Sequence, residues 1–177
     1  MNANLTPIDW AKRPIMEKYA DFSGRAPRAE YWWYALALIV AFVVLGIVEG
    51  ILGIHHMIFY SYGPLSALLW LATIVPSIAV GVRRLHDTNR SGWWVLLPII
   101  PYCLAFILGG AAMMGAAAGG SAVGMMAGAG IAGIFLLIGF ICALVLLVFM
   151  VLPSTPGDNR YGPNPYGEGA SGTIAAE

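Results

Sequence analysis

Long apolar runs separated by short polar intervals set the layout of this chain. The first run, about residues 32–54, exceeds the ~20 residues a helix needs to cross a hydrocarbon core of ~30 Å. A second covers about 65–82, and Pro76 inside it removes a backbone donor, so a bend is predicted there. From Trp93 to Leu152 no side chain carries a charge. Three spans would fill that interval and leave nothing for turns, so two longer helices are predicted, at about 93–117 and 122–152. Their junction falls at Gly119-Gly120-Ser121, where helix propensity is lowest. The pattern therefore predicts an all-α integral membrane protein with four transmembrane helices: an N-terminal segment 1–30, a membrane domain 31–153 and a Gly/Pro-rich tail 154–177.

Finer features sit on this frame. Thr6 ahead of Pro7 offers a cap for a short turn, which Pro14 should interrupt. A short interfacial helix is predicted from Pro14 to Gly24, with Ile15, Met16, Tyr19 and Phe22 on one face and Glu17, Lys18 and Asp21 opposite. The alternative is a solvated lead-in whose apolar residues touch the body of the protein. Tyr31-Trp32-Trp33-Tyr34 and Trp93-Trp94 are ring clusters of the kind found at the headgroup level, and Ser91 is the candidate cap of the third helix. Glu49 ends the first span among glycines, which favours an interfacial carboxylate. Ala116, Gly120, Gly124, Gly128 and Ala132 recur every fourth residue, so Gly120, Gly124 and Gly128 are the candidate helix-packing glycines. The tail after Gly167 reads as disordered.

Composition agrees: 59% of residues are hydrophobic and only 10% charged, far outside the range of soluble domains. Charges balance at nine against nine, so their placement carries the information. All the basic residues, Lys12, Arg13, Lys18, Arg25, Arg28, Arg83, Arg84, Arg90 and Arg160, fall in the N-terminal segment, the interval 83–92 or the tail. Four spans put those three segments on one side, and the positive-inside rule makes that side cytoplasmic, with both termini inside. Cys103 and Cys142 lie in apolar runs and imply no disulfide framework.

Three motifs stand on that side: Phe22-x-Gly24-Arg25-x-x-Arg28-x-Glu30-Tyr31-Trp32, Arg83-Arg84-Leu85-His86-Asp87-x-x-Arg90-Ser91-Gly92-Trp93-Trp94, and Gly157-x-Asn159-Arg160-Tyr161-Gly162-Pro163-x-Pro165. Over about residues 20–166 they resemble the bacterial inner-membrane family called domain of unknown function 805. Asn164 replaces the family's usual tail aspartate, and the Gly/Ala/Met stretch 109–133 is longer than in compact members. The resemblance implies an inner-membrane location and a shared fold, and no activity.

A metal site needs three or four convergent ligands, and His55 and His56 are placed across the membrane from His86, so no metal or other cofactor is predicted. His86 oriented by Asp87 could serve as an acid-base pair in a membrane-embedded enzyme acting on lipid or phosphate-bearing substrates, but no partnered nucleophile accompanies it. One Glu and few polar span residues make a poor path for a small transporter. The leading expectation is a non-enzymatic role, structural, lipid-contacting or partner-binding. It would act through one cytoplasmic polar cluster of Arg25, Arg28, Glu30, Arg83, Arg84, His86, Asp87, Arg90, Asn159, Arg160 and Tyr161. Within it Arg83 would pair with Asp87 one helical turn away, leaving Glu30 to another arginine. Expected partners are membrane lipids, anionic ones above all, a second copy or another membrane protein, and no nucleic acid.

Overall fold

The computed structural model describes residues 5–54 and 63–166; His55, His56 and Tyr60 of the first loop, and the tail from Gly167 onward, lie outside the described residues. Among the described residues five α-helices follow one another: α1 (Pro7–Met16), α2 (Arg28–Ile51), α3 (Pro64–Asp87), α4 (Leu96–Ala117) and α5 (Ala122–Val151), with a 3₁₀ turn at Gly92–Val95 leading into α4. No strand occurs among the described residues. The last four helices, α4 together with its 3₁₀ lead-in, are long and apolar enough to cross a membrane. The chain divides into two compact units, residues 1–92 with 153–177, and residues 93–152.

In the first unit, α1 packs on α2 and α3. This helix lies upstream of the predicted stretch 14–24. Thr6 and Asp9 form a capping box and Pro7 occupies the first turn, so the start signal outweighs the break at Pro14, which falls in the helix's second half and loses only one hydrogen bond. Residues 17–27 are instead irregular and fold against the body. Tyr19 shows why: its hydroxyl donates to the Ala72 carbonyl at 2.7 Å. That carbonyl lacks its helical partner because Pro76, four residues on, has no N–H. Ala26, Tyr34 and Val80 form the buried core between α2 and α3, with the Tyr34 hydroxyl 2.9 Å from Ser77 Oγ.

Glu49, near the end of α2, does not face outward. It is buried at 1% exposure, accepting the Ser66 N–H at 2.8 Å and the Ser66 hydroxyl at 2.6 Å. Gly63 and Pro64 give α3 no side-chain cap of their own, so its first N–H groups are open to a carboxylate from α2.

In the second unit, α4 ends at Gly119, which takes φ +85° and lets the Gly120 N–H reach the Gly115 carbonyl at 2.9 Å. Ser121 caps α5 by accepting from the Gly124 N–H at 3.1 Å. Ser91 does not cap the third span: the 3₁₀ turn intervenes, and α4 has no side-chain cap. The small-residue ridge also needs correction. A Cβ at Gly128 would stand 2.5 Å from the Ala112 Cβ, and one at Gly109 would stand 3.5 Å from the Ala132 Cβ, so these pairs form the close approach of α4 and α5. Gly120 lies in the turn, and a Cβ at Gly124 would meet only the capping hydroxyl of Ser121. Gly128→Leu is therefore expected to lower the thermal unfolding temperature in detergent clearly, by overpacking, whereas Gly124→Ala should leave it near wild type. Equal effects at the two positions would contradict this register.

Candidate functional site

The polar end of the first unit is built around the C-terminus of α3. A helix leaves its last carbonyls without partners, and here a Schellman motif answers first. Asn89 takes φ +58°, its N–H reaches the His86 carbonyl at 3.0 Å, and the Arg90 N–H reaches the Leu85 carbonyl at 2.9 Å. The tail supplies further donors. Thr155 gives both its N–H (3.0 Å) and its hydroxyl (3.1 Å) to the Asp87 carbonyl, and the Asn159 amide donates to the His86 carbonyl at 2.9 Å.

Side-chain charge closes the same junction. Asp87, fully buried, accepts from Arg25 Nε at 3.0 Å, from Arg84 Nη1 and from the Ser154 hydroxyl. The Arg25 guanidinium also donates to the Gly157 and Thr155 carbonyls, each at 2.8 Å. Arg83 turns the other way and pairs with Glu30, which Arg13 approaches at 3.5 Å. Pairing thus differs from the predicted Arg83–Asp87 contact: Arg84 and Arg25 hold Asp87, and Arg83 takes Glu30. Arg83 Nε and Nη2 have no hydrogen-bond partner among the described residues, so this buried guanidinium depends on Glu30.

A turn before Arg25 sets the last contact. Asp21 accepts the Ser23 N–H at 2.9 Å and the Ser23 hydroxyl, with Lys18 Nζ at 3.0 Å; these bonds hold its carboxyl far below the usual carboxylate range. A depressed carboxylate stabilises above its unfolded pKa and loses that contribution only in strong acid, so the turn persists at neutral pH. Gly24 then takes φ +75° and its carbonyl meets His86 Nδ1 at 3.2 Å. The His86 ring stacks on Tyr161, with centroids 3.8 Å apart and planes 5° from parallel, and the Arg160 guanidinium lies 4.7 Å from the same Tyr161 ring. The backbone bonds between Asn159 and Gly162 form the tight turn that presents Tyr161.

Of the eleven cluster positions, Arg25, Arg84, His86, Asp87, Asn159, Arg160 and Tyr161 gather about the end of α3, and Arg83 and Glu30 form a second pair. Arg28 is exposed on the first turn of α2, and Arg90 donates to the Thr88 carbonyl at 3.2 Å. Within the chain, a Cβ at Gly120 or Gly124 would meet the α4–α5 turn rather than the face of the opposite helix. Sequence reasoning missed Ser154 and Thr155, and gave Gly24 no contact beyond its place in a motif. The proline and glycine punctuation around them marked turns, but not which carbonyl each turn would serve. Among the described residues no three His, Cys, Asp or Glu side chains gather as a metal site would need.

These features define a multi-pass membrane protein with a buried ion-pair network at one end of its first unit. The chain belongs to the family described as Protein of unknown function (DUF805), which matches residues 19–163. It is 32% identical to the inner membrane protein YhaH of Escherichia coli over 158 residues, 89% of this chain and 97% of that one. It is 34% identical to the inner membrane protein YhaI of the same organism over 151 residues, covering 85% and 91% of the two chains. No solved structure gives a significant match.

Proposed function

We propose that this is a non-enzymatic membrane protein whose cytoplasmic end is closed by a structural clasp, and that the clasp presents an ordered surface to lipid headgroups or a protein partner. One observation carries the reading. Asp87 receives Arg25 and Arg84 through its carboxylate and Thr155 through its carbonyl, so three segments distant in sequence converge on one residue. Because the arginines inside are committed to carboxylates, they are not the groups that meet phosphates. The exposed Arg28 and Arg160, the latter over the Tyr161 ring, are. A pairing of His86 with Asp87 for acid-base work finds no support: the imidazole rests on Gly24 and Tyr161, and the carboxylate is taken by other donors.

The cytoplasmic placement follows from the distribution of Lys and Arg. Reporter fusions after residues 58, 120 and 170 test it, and an external reporter at 170 would overturn it. Arg160 Nη2 lies 3.4 Å from the Asn89 carbonyl, and both residues are exposed. Cysteines at 89 and 160 are therefore expected to crosslink through a short bismaleimide in native membranes. Loss of that crosslink in otherwise stable protein would mean the tail is not clasped.

A further inference from the structure

Beside the clasp, the first unit carries an apolar groove of about 690 Å³ that the ion-pair network does not use. Its floor is one stripe of α2, Trp33, Leu36, Ala37, Val40 and Val44, continuing to Leu45, with Leu69 of α3 along one side. The α2 positions recur at intervals of three and four, so they share a single helix face. Leu36, Val40 and Val44 are each about half exposed, so the groove is open. Ile8 and Lys12 of α1 form its other rim.

We propose that this groove holds one acyl chain of a phosphate-bearing membrane lipid, with the phosphate on Lys12. Length favours this occupant. From Trp33 to Leu45 an α-helix rises ~18 Å, close to the ~15 Å depth of one leaflet of a ~30 Å hydrocarbon core. Position agrees as well, because Trp33, a ring suited to the headgroup level, stands at the end of the groove nearer the charged residues. Charge supplies the third argument. Lys12 is exposed and forms no ion pair among the described residues. Asp9, one turn away, is taken by the Thr6 N–H at 3.0 Å and the Thr6 hydroxyl at 2.6 Å, and Arg13 next door is committed to Glu17 and Glu30. An exposed ammonium on the rim of an apolar channel about one leaflet long matches a phosphate joined to a hydrocarbon chain.

The proposal deepens the lipid-contact part of the reading above but does not depend on the clasp, which the 89–160 crosslink reads separately. The full chain, purified in mild detergent, is incubated with phosphatidylglycerol, delipidated in steps and weighed by native mass spectrometry. Wild type is expected to keep one lipid per chain. Ala37→Trp, which fills the groove floor, should remove that lipid, and Lys12→Glu should lower its retention at least tenfold at unchanged helicity and unfolding temperature. Lys12→Gln, keeping the size without the charge, should fall between. Equal retention by wild type and all three variants would overturn the site. A photoreactive residue at position 40 gives a second measure in native membranes: a lipid adduct is expected, whereas capture of a second copy of this chain would replace the lipid with a protein interface.

Discussion

Asp87→Asn is expected to give a large loss of stability, on the order of 3–5 kcal/mol, because removing one partner of a buried ion pair leaves the other charge uncompensated. Here the guanidiniums of Arg25 and Arg84, both buried, would lose the carboxylate they share. Asparagine keeps the shape and one acceptor, so the effect isolates the charge. Thermal unfolding in detergent should show a marked drop, and trypsin should cut at Arg160 faster, since Ser154 and Thr155 anchor the tail to the same residue. Ser154→Ala removes only a hydroxyl and should cost much less, with a loss that is not additive with Asp87→Asn, because both act on one carboxylate. If unfolding and proteolysis of Asp87→Asn match wild type, the ion pairs do not hold the tail.

Glu49→Ala should be the second large effect, at about 2–4 kcal/mol. It deletes a buried capping carboxylate and leaves the Ser66 N–H and hydroxyl without acceptors at the start of α3. Glu49→Gln keeps an acceptor and should lose less. Gly63 gives an independent check. A Cβ there would stand 2.5 Å from Glu49 Oε1 and 2.8 Å from Oε2, so Gly63→Ala should destabilise by displacing the carboxylate. Once Glu49 is alanine that clash disappears, so the double variant should lose less than the sum of the singles. Strict additivity in thermal unfolding would mean that the two residues do not share this contact.

The candidate site was legible in the sequence as a set of residues and much less as a set of bonds. Charge confined to three short intervals pointed to Arg25, Glu30, Arg83, Arg84 and Asp87. The pairing was misassigned because Arg83 and Arg84 are adjacent, and helical spacing alone favoured the Arg83–Asp87 pair at four residues over Arg84–Asp87 at three. What reversed it was Glu30, brought to Arg83 by the packing of α2 on α3. The bonding of Glu49 was missed for a related reason. Glycines around a carboxylate resemble a wet helix end, and only the approach of α3 turns that carboxylate into a cap.

By itself, the sequence determined the four apolar helices, the proline and glycine stops between them and the gathering of basic residues into three segments. Each follows from a local requirement, since backbone groups in a hydrocarbon layer must be bonded within their own helix and charges must stay outside that layer. Tertiary structure alone decided which helix end each donor serves, that Tyr19 fills the vacancy left by Pro76, that Thr155 of the returning tail bonds the Asp87 carbonyl and that Gly128 rather than Gly124 meets α4. Those choices depend on distances between residues far apart in the chain, set by how whole helices pack, and no spacing along the sequence encodes them.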